Sequence, residues 1–169
     1  MREIIRFFSA WAEGESYHLD IEEAQVPGLE DATEDYRGGG MLADFDVVHG
    51  LVKLEASMIM TSFAKSLLKK AGLAAGKINT VTMRGSMSSE FEEGSKSVVA
   101  TVRGRINAKP KPWSAGSKSG VEYPITSISY YKLVVDGELV HEIDMVNLIQ
   151  IVDGEDQMKE HRANIGLAT

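Results

Sequence analysis

Asp136-Gly137 stands between two long, apolar-rich runs, Val121 to Val135 and Glu138 to Val152. That dipeptide tolerates the positive φ that a twisted two-residue hairpin requires, so the pattern predicts the longest antiparallel ribbon of the chain. Both faces of the ribbon carry apolar side chains, with Ile128, Tyr130 and Val134 set against Tyr131, Leu133 and Val135. Strands of that kind need cover on both sides, from a core, a helix or a neighbouring subunit.

Shorter alternating segments surround it. Val81, Met83, Gly85 and Met87 alternate with Thr82, Arg84, Ser86 and Ser88. Beyond the polar turn Glu92-Glu93-Gly94-Ser95, Val98, Ala100, Val102 and Ile106 do the same, which predicts a second antiparallel pair. Upstream, Phe7 to Ala12 and Tyr17 to Val26 flank Glu13-Gly14-Glu15 and predict a hairpin, ended by Pro27-Gly28. Leu29 to Arg37 is acidic and weakly patterned, and the glycines after it permit a sharp or bulged backbone where the chain changes direction. Val52, Leu54, Ala56, Met58 and Met60 share one face of a strand, with helix as the competing reading because several are good helix formers. Thr61 or Ser62 then caps a helix of about three turns. Phe63, Leu67 and Ala71 form its apolar stripe, Lys65, Lys69 and Lys70 lie on its polar side, and Gly72 stops it with Leu73 against the last turn. Lys109-Pro110-Lys111-Pro112-Trp113 through Gly120 predicts an exposed connection outside any ladder, since proline lacks the donor.

The expectation is a mainly β fold with one α-helix, an antiparallel β-sandwich or barrel of six to eight strands with the helix packed on it. At 169 residues and 18.5 kDa the chain fits one domain with a core of its own, 1–169. The absence of cysteine excludes a disulfide framework and thiolate metal ligands. Glu3, Arg6, Glu13 and Glu15 interrupt any apolar leader, and no run of 18 apolar residues occurs, so the reading is of a soluble protein that does not insert into a membrane. A net charge of −7, from 18 basic and 25 acidic residues, argues against tight sequence-independent binding to a polyanion.

No pattern points to catalysis. His141, Glu142 and Asp144 form the best local metal-like cluster among the four histidines, yet neighbours on a strand face opposite ways and do not share an ion. No G-x-S-x-G elbow occurs, and Arg37-Gly38-Gly39-Gly40 lacks the lysine-serine pair of a phosphate loop as well as the dinucleotide-binding spacing. Catalytic, metal and cofactor sites are therefore expected to be absent. Arg84, Arg103 and Arg105 on strand faces invite a nucleic-acid reading, but their acidic surroundings favour salt bridges to an adjacent subunit. The reading from another class is a monomeric β-barrel that binds a small ligand, motivated by eight methionines and the two-faced strands.

Taken in order, Tyr36-Arg37-Gly38-Gly39-Gly40-Met41, Val102-Arg103-Gly104-Arg105, Tyr130-Tyr131-Lys132-Leu133, Asp136-Gly137, Val152-Asp153-Gly154 and His161 through Leu167 form a set. It resembles the major tail tube proteins of contractile-tailed bacteriophages and R-type pyocins. The likeness runs over most of the chain, and over residues 1–9, 61–79 and 107–120 it holds in outline. It implies a structural protein of the virion with the tail tube fold, shared in outline with type VI secretion tubes. Such subunits form stacked hexameric rings inside a sheath, and the tube conducts genome into the host, or carries no DNA in a headless bacteriocin. The implied partners are further copies of the chain, the tail sheath protein, baseplate and terminator proteins, and DNA passing an acidic lumen without specific binding. Assembly would take place in the host cytoplasm. The resemblance also implies an extended loop near 37–50 that reaches the neighbouring ring and a C-terminal docking segment, 153–169. Candidate contacts between subunits or rings are Arg37, Gly38, Gly39, Gly40, Met41, Leu42 and Phe45, with Arg103, Arg105, Asn164, Ile165 and Leu167 beyond them. Packing into the core explains Met41, Leu42 and Phe45 equally well.

Overall fold

The computed structural model describes residues 3–167. Thirteen strands and two short helices follow one another as β1 (Glu3–Ala12), β2 (Glu15–Ser16), β3 (Ile21–Gln25), β4 (Asp31–Tyr36), β5 (Phe45–Leu51), β6 (Ala56–Met60) and α1 (Lys65–Lys70). Then come β7 (Asn79–Ser89), β8 (Lys96–Ile106), β9 (Lys109–Pro110), β10 (Val121–Val135), β11 (Glu138–Asp144), β12 (Ile149–Val152), β13 (Glu155–Asp156) and α2 (Lys159–Asn164). Eleven strands share one antiparallel sheet, eight of them along the path β13-β12-β11-β10-β8-β7-β1-β2 with β6, β3 and β9 joined to it through β10, while β4 and β5 form a separate two-stranded ribbon. The expected mainly β, antiparallel architecture is what the chain adopts.

β10 organises the sheet. Along one edge it pairs with β8 and then β9; along the other its first half pairs with β6 and its second half with β11. The change falls at a bulge between Thr126 and Tyr130, where Ser127 adopts φ 51°. A bulge bends its strand and increases the local twist. The first half of β10, with β6 and β3, is thereby brought to one continuous core with the long sheet. Val121, Tyr123, Ile125, Met58 and Met60 join Ala10, Val81, Ala100, Val102 and Tyr131 there, with Leu67 supplied by α1. Gly104 of β8 faces the bulge, and a Cβ built on it lies 2.9 Å from the Thr126 carbonyl oxygen, too close for any side chain.

The Asp136-Gly137 turn forms as expected, with φ of 52° and 81°, the two positive values of a type I′ hairpin. The return strand is not continuous to Val152. It stops at Asp144, whose carboxylate accepts the N–H groups of Val146 and Asn147 and the Asn147 amide, and the chain reverses into β12. This is an Asx turn that competes with the ladder.

Several expectations need correction. Tyr17 to Val26 is not one strand: only Glu15–Ser16 pairs with β1, Tyr17 to Asp20 turns, and β3 leaves for β6. The period-2 run after Leu51 becomes a strand only from Ala56. α1 is shorter than three turns because Thr61 and Ser62 spend their hydroxyls on Asp20 instead of capping, and Ala64 stands uncapped at its start. Leu73 is fully exposed and does not touch the last turn. Lys109-Pro110 does join a ladder, opposite Val121 and Glu122, because Pro110 is at the end of a two-residue bridge; the exposed connection begins after it.

Arg162 ties α2 back to the chain before it. Arg162 donates to the Leu148 carbonyl at 2.8 Å and to the Asp156 carboxylate at 2.5 Å. Leu167 N–H bonds to the Arg162 carbonyl and Gly166 N–H to that of Ala163, with Gly166 at φ 78°, which is the Schellman stop of α2. The closing Asn164-Ile165-Gly166-Leu167 motif is accounted for by this backbone geometry.

Three outcomes are expected. Gly104→Ala should destabilise the fold by about 1–3 kcal/mol in chemical denaturation, since backbone rather than a flexible side chain blocks the new methyl, whereas Gly39→Ala, in open space, should be neutral. Tyr123 is fully buried with its hydroxyl unpartnered, and burial pushes its phenol up to about 12; Tyr123→Phe should be neutral or stabilising by up to about 1 kcal/mol. The Arg162 guanidinium holds the Asp156 carboxyl below the usual range. A depressed pKa contributes stability above the unfolded value, about 3.9, and loses it as pH falls through the folded one. Carbon-detected NMR titration should place Asp156 below about 3.9, and Arg162→Ala should raise it toward that value, the Met158 and Gln150 backbone donors still lowering it, and speed amide exchange from Asp156 to Leu167.

Candidate assembly surfaces

The β4–β5 ribbon stands outside the main sheet. Its register sets Tyr36 opposite Phe45 and places Asp35 directly against Asp46, a like-charge pair that weakens the hairpin. Phe45, Val47 and Val48 are exposed on it, and Leu42 at the tip is 99% exposed. An isolated two-stranded hairpin is marginal in water even without those penalties. The ribbon is therefore built as an arm whose apolar surface this subunit does not cover.

The expected loop 37–50 is therefore a loop only from Arg37 to Asp44, which forms the tip, and becomes strand β5 from Phe45. Arg37 lies 3.7 Å from Asp44, and Met41 N–H closes a turn on the Gly38 carbonyl. Gly38, Gly39 and Gly40 do not adopt positive φ, and a Cβ would meet at most ordinary contact at Gly38 and open space at the other two. The special backbone expected of them is not used. Met41, Leu42 and Phe45 are exposed, which removes the core-packing explanation.

A second surface is the edge of the long sheet. β1 bonds to β7 along one side, but among the described residues its other side pairs only with β2, at Trp11 and Ala12. The stretch from Glu3 to Ser9 is left as an open edge, the kind of template that pairs with another chain. It carries Ile4, Ile5 and Phe7, the last 76% exposed. Ile5 and Phe8 also line an open apolar groove of about 420 Å³ with Ala24, Val26 and Met83. At the opposite edge β13 pairs with β12 at Ile151 and Val152. Sequence reasoning missed this edge; the available signal was Ile4-Ile5-Arg6-Phe7-Phe8, apolar without alternation.

The outward face of β7, β8, β10 and β11 is polar. Arg103 lies beside Tyr130 in the register, and Tyr130 donates to Glu142 at 2.7 Å. Burial and that bond push the Tyr130 phenol up to about 12. Burial raises the Asp144 carboxyl, but the Asn147 and Val146 donors and the Arg103 charge outweigh it and leave the pKa lowered. Among the described residues neither Arg103 nor Arg105 forms an ion pair, and the Arg105 Nε is buried without an acceptor. Asn164, Ile165 and Leu167 lie at the exposed end of α2, remote in sequence from the arm, and the structure brings no expected contact residue into a shared pocket with another.

Among the described residues no three His, Asp or Glu side chains gather as a metal site, and no helix is long and apolar enough to cross a membrane.

Comparison with known proteins gives one concordant result. The tail tube protein of Escherichia phage P2 is 29% identical over 167 residues, covering 96% of each chain. The major tail tube protein of Serratia phage KSP20 is 31% identical over 156 residues, covering 89% of this chain and 88% of that one. The family model described as phage tail tube protein FII matches residues 2–166, and the chain belongs to that family.

Proposed function

We propose that this chain is the structural subunit of a contractile phage tail tube. The observation that carries the reading is the family match over residues 2–166, together with tail tube relatives aligned across most of their length. In this reading one domain, 1–169, stacks as hexameric rings within the sheath, between baseplate and terminator, and forms the conduit through which the genome leaves. The tube is assembled in the bacterial cytoplasm and becomes part of the virion.

Two physical features support a polymer over a free monomer. The arm presents apolar side chains on a ribbon that is marginal alone, and β1 leaves backbone donors and acceptors open along an apolar edge. An assembly that repeats head to tail uses two different patches, one closing a ring and one propagating a stack. We assign the open edge and the polar face bearing Arg103 and Arg105 to contacts within a ring. The arm, with Met41, Leu42 and Phe45, is assigned to contacts between rings.

Negative-stain electron microscopy of concentrated protein should show rings and stacks with a central channel. Leu42→Asp with Phe45→Asp should leave the melting temperature within about 2 °C of the parent, because both residues are exposed and surface changes cost little. The same variant should shorten or abolish stacks while rings persist. Monodisperse monomers at every concentration, with a baseplate template present, would instead return the chain to the class of small binding modules.

A further inference from the structure

The arm is acidic as well as apolar. Glu30, Asp31, Glu34, Asp35, Asp44 and Asp46 lie on it or at its base, against the single cation Arg37. A partner surface should therefore be basic, with exposed apolar groups to meet Leu42 and Phe45.

One region of the subunit has that chemistry. No carboxylate occurs from Ala56 to Ser89 or from Gly94 to Val121. The fold gathers the lysines of these two stretches, all but Lys96, at one end of the long sheet. There Gly72 N–H bonds to the Ile106 carbonyl, and Phe63 beside α1 meets Trp113 of the 111–120 loop edge to face at 6.0 Å. Lys70 is tied to Glu15 and Lys118 to Glu22. Lys65, Lys69 and Lys111 are exposed and, among the described residues, unpaired with any carboxylate. On the same two stretches Trp113 is 80% exposed and Leu73 fully so. The acidic turn at Glu90, Glu92 and Glu93 lies at the other end of the same strands, where Met87 pairs with Lys96, and repels an acidic arm.

We propose that the end formed by α1 and the 111–120 loop is the acceptor for the acidic arm of another copy of this chain. Lys65, Lys69 and Lys111 face the arm carboxylates, and Trp113 and Leu73 cover Leu42 and Phe45. The inference rests on the tube reading above and names the surface on which one subunit receives the next. The contact joins exposed charges and is screened by salt, since the Debye length shrinks from about 10 Å at 0.1 M to about 3 Å at 1 M.

The test is charge reversal with rescue, on full-length protein whose fold is checked by circular dichroism. Lys65→Glu, Lys69→Glu and Lys111→Glu together should reduce stacked material at least tenfold by light scattering and electron microscopy, leaving rings intact. Asp35→Lys, Asp44→Lys and Asp46→Lys should do the same. Combining the two sets should restore stacks, which a folding defect would not. Reversing Glu92 and Glu93 should leave stacking unchanged. Zero-length carbodiimide cross-linking of wild-type stacks should join peptides from residues 30–46 to peptides containing Lys65, Lys69 or Lys111. Normal stacking of both triple variants, failure of the combined set to rescue, or cross-links from the arm to other lysines would overturn the acceptor assignment while leaving the tube reading standing. Absence of rings and stacks from the wild-type chain under every condition would remove both.

Discussion

The close approach of β8 to the bulge in β10 is the constraint on which the rest of the fold depends. β10 serves two neighbours on one edge, β6 before the bulge and β11 after it. The strand must bend between them, and Ser127 does so at positive φ while Gly104 leaves room for the Thr126 carbonyl. A straight β10 would keep β3 and β6 in plane with the long sheet and leave Met58, Met60 and Tyr123 without a facing layer. The bend thus converts one sheet into a core, and it fixes where the arm leaves, because β4 and β5 interrupt the chain between β3 and β6.

What lies outside that core is distributed by chemistry. The sheet interior takes the alternating apolar residues, and α1 contributes Leu67 while its Lys70 ammonium ties the Ala12 carbonyl, Glu15 and Tyr17 together. Many of the apolar residues left over collect on the arm, on β1 and at the loop end bearing Trp113, while Leu19, Phe91, Val146 and Ile165 are exposed elsewhere. Single exposed apolar residues need no explanation, whereas grouped ones mark interaction surfaces.

Much of this was legible in residue order. The Asp136-Gly137 hairpin, the pairing of β7 with β8, and the mainly β class follow from turn chemistry and period-2 alternation, which act locally. The misses have physical causes as well. Asp144 offers the chain a turn that hydropathy does not register, and Thr61 and Ser62 bond to Asp20, distant in sequence, instead of capping α1. The partner switch of β10 depends on Gly104, whose role appears only when Thr126 is set beside it. On the candidate surfaces, the loop from Arg37 to Asp44 was found, but strand β5 after it was not. The Asp35 and Asp46 clash shows why: a ribbon poor in cross-strand pairs has a weak strand signature. The β1 edge was missed because Ile4, Ile5, Phe7 and Phe8 are apolar without alternation and so carry no period-2 signal.

The weakness of each exposed contact is compatible with a stable polymer. Exposed ion pairs contribute about 0–1 kcal/mol each, so no arm alone would hold a partner firmly through its charges. In the proposed ring every subunit presents the same arm to the same acceptor, and closure makes the contacts simultaneous; after the first forms, the others are intramolecular and cost little further entropy. Individually weak contacts let a misplaced subunit leave before its ring is complete, while the completed layer is retained. The apolar tip at Leu42 and Phe45 supplies attraction that salt does not screen, and the surrounding carboxylates, excluded from the acidic turn and drawn to the lysine-rich end, set the direction in which the next layer is received. Affinity and polarity of growth are thereby assigned to different side chains of one short arm.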